Sequence, residues 1–166
     1  MQPLTAALAA KIAEQVDRTV HLIGFVPEDC LAWAPPIGGA QTLGGLLGHL
    51  MDCLAGFCAV LHAAHPQELA HFAALRELPL NRARTPAEAC ECLAVYRRHL
   101  DEGFALLTDE GLGRVLPTVF VPAGESVMTL LLGNLEHLVN HKHQLFMYLK
   151  LLGQDLATPD LYCLRG

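Results

Sequence analysis

Four long stretches of the chain repeat apolar positions with a period near 3.6, and proline- and glycine-rich breaks separate them. The first runs from about Leu4 to Phe25: Leu8, Ile12, Val16, Leu22 and Ile23 recur at helical spacing against Lys11, Glu14, Asp17 and Arg18, and Pro27 ends or bends the helix. LAWAPPIGGAQ reads as a connection, after which Thr42 offers an N-cap and a second helix continues to about His62 or Ala64, before Pro66. A less regular stretch containing Pro79 follows. Thr85-Pro86-Ala87-Glu88 is a helix start, with Thr85 as cap, Pro86 in the first turn and Glu88 three residues on as in a capping box; this third helix extends to about Leu107. In RVLPTVFVPAGE, Pro117, Pro122 and Gly124 surround a short β-branched run, which predicts an extended crossover. Ser126 caps a fourth helix ending near Gly153.

No internal repeat, low-complexity tract or second composition zone interrupts this pattern. It predicts one all-α domain over residues 1–166, a four-helix bundle with long connections. With 52% hydrophobic residues and a mean hydropathy of +0.34, the chain can bury a sizeable core. The longest apolar stretch, LGGLLGHLMDCLAGFCAVLHAAH, is broken by histidine and aspartate, so it is expected to be a buried helix and not a membrane span. No basic segment followed by an apolar run opens the sequence, so a cytoplasmic location is expected over a secreted one.

Charge removes one class of partner. Eleven Lys and Arg against seventeen Asp and Glu give a formal charge of -6, and no segment gathers a basic cluster, so nucleic-acid binding is not expected. Six cysteines, Cys30, Cys53, Cys58, Cys90, Cys92 and Cys163, show no zinc-ribbon or disulfide spacing and are expected mostly as reduced, small core residues. No Ser-His-Asp order, phosphate-binding glycine loop or Cys-His pairing stands out.

The candidate chemistry lies in the fourth helix. His137 and His141 are four residues apart, one turn on the same face, and share it with Leu130, Asn134, Leu138, Leu145, Tyr148 and Leu152. Both imidazoles are therefore expected to face an apolar interior. A histidine there is ordinarily satisfied by a neighbouring carbonyl or carboxylate, but a metal ion can serve two at once. A third ligand has to come from another helix. His49 is the best placed, flanked inward by Leu46, Leu50 and Cys53, while Gly44, Gly45 and Gly48 let another backbone approach closely. Asp52 and Glu136 neighbour these histidines in sequence yet project elsewhere. His62, His65 and His71 are expected at the surface, and His21 and His99 lack a partner recognisable in sequence.

The Thr-Leu-x-x-Leu-Leu-x-His pattern of the second helix, the paired histidines of the fourth, the trailing Gln144, the Tyr-Leu-x-x-Leu-Gly ending, and Trp33 with its prolines together resemble the DinB/YfiT superfamily over nearly the whole chain. The resemblance implies an up-down-down-up four-helix bundle, commonly a homodimer, that holds a divalent metal on three histidines, here His49, His137 and His141. Many relatives carry glycine where this chain has His143; at helical spacing His143 falls with Glu136, Asn140 and Met147, on a surface or interface side. Three neutral imidazoles leave a coordination position for water or a substrate thiol. Zinc is the first expectation, with nickel, iron and copper also suited to imidazole. Relatives include transferases and isomerases that use small thiols such as bacillithiol or mycothiol. The expected activity is small-thiol transfer or hydrolysis of a small-molecule substrate. The alternatives are a non-catalytic, stress-associated metal-binding dimer, and a metal-free bundle whose histidines satisfy one another.

Overall fold

The computed structural model describes residues 3–77, 79–118 and 121–162. Four long helices, α1 (Leu4–Ile23), α2 (Leu43–Ala64), α3 (Pro86–Leu106) and α4 (Val127–Leu151), begin and end close to the positions that capping and periodicity indicate. Thr42 accepts a hydrogen bond from the Gly45 amide and Ser126 one from the Thr129 amide, so both side chains satisfy donors that a helix start leaves orphaned. Thr85 and Glu88 form the reciprocal capping box, with Pro86 in the first turn. α1 stops at Gly24, ahead of Pro27. Gly153, at φ 79°, takes the left-handed turn that follows α4.

α2 packs against α3 and α4, and α1 closes the square by packing against the same two. Contacts fix the directions. Asp109 accepts hydrogen bonds from the Leu4 and Thr5 amides while Arg97 pairs with Asp17, so α1 and α3 are antiparallel. Arg84 N–H donates to the Gly44 carbonyl just before α3, and Gly103 lies against Leu61 near the far ends, so α2 and α3 are parallel. His49 meets His141 and Gly56 meets Asn134, so α2 and α4 are antiparallel. The bundle is therefore up-down-down-up, and the α1–α2 and α3–α4 connections must cross its diagonals, which requires their length.

The second crossing is extended, as its prolines indicate. Val115–Leu116 (β1) and Glu125–Ser126 (β2) pair antiparallel within it. Between α2 and α3 the chain forms a 3-10 segment, Ala70–Glu77. A short helix, α5 (Thr158–Tyr162), was not foreshadowed, because five residues carry no readable period. It is tied down by His21 Nε2 to Asp160 Oδ1 at 3.1 Å and by the buried Lys142, whose Nζ donates to Gln15 Oε1 and to the Leu161 carbonyl.

α2 is the central helix: Leu43, Leu46, Leu47, Leu50, Leu54, Phe57 and Leu61 are all fully buried. It is long and apolar enough to cross a membrane, but 61% of its most apolar window is buried inside the bundle, which accounts for its hydropathy. Cys53 and Cys58 belong to the core; Cys30 and Cys92 are only half-buried and Cys90 is exposed, so the expectation of mostly core cysteines holds for two of these five. Cys163 lies outside the described residues.

Candidate metal centre

The bundle brings His49, His137 and His141 together. His49 Nε2 lies 3.2 Å from His137 Nε2 and 3.1 Å from His141 Nε2. The expectation that both α4 histidines face an apolar interior is corrected: His137 is exposed and His141 half-buried, while Leu138 and Leu145 on the same helix are sealed. The physical reason is their place on the edge of the apolar stripe, where α4 turns from the core toward the connection between α2 and α3.

What surrounds the imidazoles decides which nitrogen carries the proton. His141 Nδ1 is 2.8 Å from Gln144 Oε1, and the same amide donates through Nε2 to the Tyr148 hydroxyl at 3.0 Å. Tyr148 is in turn held edge-on by Trp33, with ring centroids 5.5 Å apart. His49 Nδ1 is 2.8 Å from Asn81 Oδ1, and the Asn81 amide donates to Asp52 Oδ2 at 2.6 Å. Each Nδ1 faces an amide oxygen, which assigns the proton to Nδ1 and leaves Nε2 as the acceptor. The Nε2 atoms of His49 and His141 then point lone pairs at each other across 3.1 Å with no hydrogen between them. Such a contact is repulsive unless a cation sits at its focus.

A proton is a poor cation for this place. Partial desolvation holds the imidazoles of His137 and His141 below the ordinary histidine range, even though the His137 residue as a whole is exposed; for His137 the neighbouring His141 and His49 depress it further, while for His141 the Gln144 bond partly offsets the desolvation and His49 adds to the depression. A divalent ion fits better. Two nitrogens each about 2.1 Å from one ion stand roughly 3.0 Å apart at a right angle and roughly 3.4 Å at a tetrahedral one, and the observed separations fall between.

A close backbone approach holds the α2 side of the centre. A Cβ on Gly48 would meet the Arg82 carbonyl oxygen at 1.9 Å, so glycine lets residues 81–84 lie directly on α2. Asn81 adopts φ 53°, a left-handed conformation that asparagine tolerates, and so reaches His49. Asp52 does not project away, as its sequence position implies, but braces Asn81. Glu136 and His143 are exposed on the other side of α4. Asn81 was missed in the sequence because nothing periodic marks it; an asparagine just after Pro79-Leu80, in a stretch without helical period, is the signal it leaves.

Cys53 was also missed as a functional group. Among the described residues, the ligand atoms of His49, Cys53 and His137 lie within 4.8 Å of one another and could hold a metal ion. Its thiol is 1% exposed, and burial, with the Asp52 charge adding to it, pushes its pKa up to about 12. A cavity of about 390 Å3 lies along α2, lined by Asp52, Ala55, Gly56, Ala59 and His62 together with Phe72, Leu75 and Leu80; Asp52, one turn beyond His49, is its link to the centre, since none of the three histidines lines it. The remaining histidines stand apart from this cluster. His71 is exposed and pairs with Glu102 at 3.0 Å, His99 Nδ1 contacts the Val95 carbonyl, His21 meets Asp160, and His62 and His65, expected at the surface, are half-buried.

An up-down-down-up bundle with a convergent histidine cluster near one end of its central helix defines a class of protein, and comparison agrees. The DinB superfamily model matches residues 11–145, which include all three histidines, and the chain belongs to that superfamily. Among solved structures, a DinB-like protein from Bacillus subtilis (YjoA) is similar with a TM-score of 0.69 at 16% identity, covering 90% of this chain and 94% of that one. A protein assigned to the DinB family from Exiguobacterium sibiricum is similar with a TM-score of 0.64 at 23% identity, covering 96% and 99%. At these identities the likeness speaks for the fold. No curated protein matches the chain.

Proposed function

We propose that this chain is a metal-dependent enzyme of the DinB type, cytoplasmic and homodimeric, that holds one divalent ion, zinc first, on His49, His137 and His141. The observation that carries the reading is the 3.1 Å approach of His49 Nε2 to His141 Nε2, with an amide oxygen 2.8 Å from each Nδ1 to take its proton. When bound, the ion supplies an open position at which a water or a substrate thiol loses its proton near neutral pH. The protein's own groups do the rest. Asn81 and Gln144 aim two of the ligands, and Tyr148 and Trp33 stop Gln144 from turning. The cavity along α2 takes an apolar part of a small substrate beside the centre. The reactions that suit this arrangement are transfer of a small thiol to an electrophile and hydrolysis of a small substrate.

The test starts with metal. Protein purified without a histidine tag is expected to carry near-stoichiometric metal by elemental mass spectrometry, and His137→Ala is expected to lose it. Metal-loaded protein and its His49→Ala variant are then compared on a panel of thiols and electrophiles. Equal behaviour of the two would refute catalysis and leave the non-catalytic metal-binding dimer; no metal in either sample would return the histidines to structural residues.

A further inference from the structure

We infer that Cys53 is a fourth donor to this centre, so that the ion is held by three imidazole nitrogens and one thiolate sulfur. The inference rests on the three-histidine reading and adds to it a residue that neither the paired histidines nor the family pattern of the sequence points to. Cys53 follows His49 by four residues on α2, one turn deeper on the same face, so its side chain lies beneath the imidazoles on the core side. Its Sγ shares with the His49 and His137 nitrogens a volume in which no two ligand atoms are more than 4.8 Å apart. A sulfur about 2.3 Å and a nitrogen about 2.1 Å from one ion stand roughly 3.6 Å apart at a tetrahedral angle. Sγ therefore has to close by about 1.2 Å at most on either nitrogen, a displacement that a turn about the Cα–Cβ bond supplies.

Two independent features favour sulfur there over water. The Nε2 atoms of His137 and His141 both converge on His49 Nε2, which marks the place of a cation, and the fully buried Cys53 brings its Sγ to the His49 and His137 side of that cluster. On the core side of the two helices the neighbouring residues are apolar, with Leu46 and Leu50 of α2 and Leu131 and Leu138 of α4 fully buried. Three neutral imidazoles would leave the full double charge of the ion against that apolar side, whereas a thiolate halves it and lowers the cost of burial. As the metal–sulfur bond forms, the thiol proton leaves to solvent on the exposed His137 side. Sulfur approaches from the core, so the outward position remains for substrate in a five-coordinate ion. The donor set also shifts preference toward thiophilic ions such as zinc and cobalt and away from magnesium and manganese.

Cobalt(II) reads the donor set directly. The metal-free full chain, Cys53→Ala and Cys58→Ala are each loaded with cobalt(II), bound metal is counted by elemental analysis, folding is checked by circular dichroism, and near-ultraviolet absorption is recorded. Wild type and Cys58→Ala, whose thiol lies deeper along α2, are expected to show an intense thiolate-to-cobalt charge-transfer band at one equivalent. Cys53→Ala is expected to lose the band, whether it keeps the cobalt or binds it too weakly to retain. X-ray absorption at the zinc edge of the zinc-loaded wild type, which needs no variant, is expected to find one sulfur scatterer. A stoichiometric cobalt protein without the band, or a band that survives in Cys53→Ala, overturns the fourth donor while leaving the three-histidine centre standing. Absence of bound cobalt in the wild type overturns both.

Discussion

Replacing Gly48 with alanine tests whether the α2 side of the centre is built by backbone contact. In an open helix interior, glycine to alanine stabilises by about 1 kcal/mol, because alanine loses less backbone freedom on folding. Gly133 on α4 is such a position, with nothing within 4 Å of an added Cβ. At Gly48 the Cβ would sit 1.9 Å from the Arg82 carbonyl oxygen and 2.7 Å from its carbon. The obstacle is backbone, not the tip of a flexible side chain, so residues 81–84 must recede by about 1.5 Å to restore ordinary contact at 3.4 Å. Overpacking of this kind costs about 1–3 kcal/mol. The upper half of that range applies, because the Arg84 N–H bond to the Gly44 carbonyl and the Asn81 bonds to Asp52 and His49 resist the shift. Net destabilisation of Gly48→Ala is then about 1–2 kcal/mol. For a chain of this length that lowers the melting temperature of the metal-free protein by roughly 3–6 °C, against a rise of roughly 3 °C for Gly133→Ala. The same shift withdraws Asn81 from His49, and loss of such a support weakens metal binding by about 10–100-fold. Thermal melts of both variants, followed by competition with a chelating dye, read the two effects. If Gly48→Ala melts higher than wild type, as Gly133→Ala should, or binds metal as tightly as wild type, the contact does not build the site.

Asn81→Gly keeps the left-handed backbone and deletes the support alone, so a metal titration is expected to show about 10–100-fold weaker binding while the metal-free melt changes little. In the metal-free protein the pKa values of His137 and His141 lie below 6.5, so the unfolded chain binds more protons than the folded one; stability is expected to fall as pH drops from about 6.5 through their folded values and to stay flat above. Urea melts across that range test the sign, and a His137→Ala/His141→Ala double variant should flatten the dependence. Lys142→Met keeps the apolar stem but strips the bonds to Gln15 Oε1 and the Leu161 carbonyl; a cost of about 1–3 kcal/mol is expected, with faster amide exchange over Thr158–Tyr162 as α5 loosens.

The helices were legible because their signals are local. Thr42, Thr85 and Ser126 cap where their side chains can reach an amide three residues on, and the apolar period carries each helix to its end. The direction of each helix was not legible from that pattern and entered through resemblance to a family. In the structure it follows from side-chain pairs far apart in sequence, such as Arg97 with Asp17 and Leu61 with Gly103. α5 was invisible because it is shorter than two turns and is held by tertiary bonds to His21 and Lys142, not by a pattern of its own.

The two halves of the candidate centre differ in the same way. On α4, His137, His141, Gln144 and Tyr148 are spaced by three or four residues, so forming the helix already sets two imidazoles on one face and places the acceptor for His141 Nδ1. That half could be read from spacing and is organised as soon as α4 forms. On α2, the ligand is helical but its support is not: Asn81 comes from a connection, held on α2 by the absence of a side chain at Gly48 and by the Asp52 carboxylate. The run of glycines announced that some backbone would come close without saying which. Exposure of His137 has another origin: Leu131 and Leu138, fully buried before and after it along α4, leave it at the edge of the apolar stripe, and spacing assigns a residue to a face without fixing how much of that face the core covers. The centre is thus completed only when residues 81–84 settle onto α2, so substitutions in that connection should tune metal affinity more than changes of similar size on the outer face of α4.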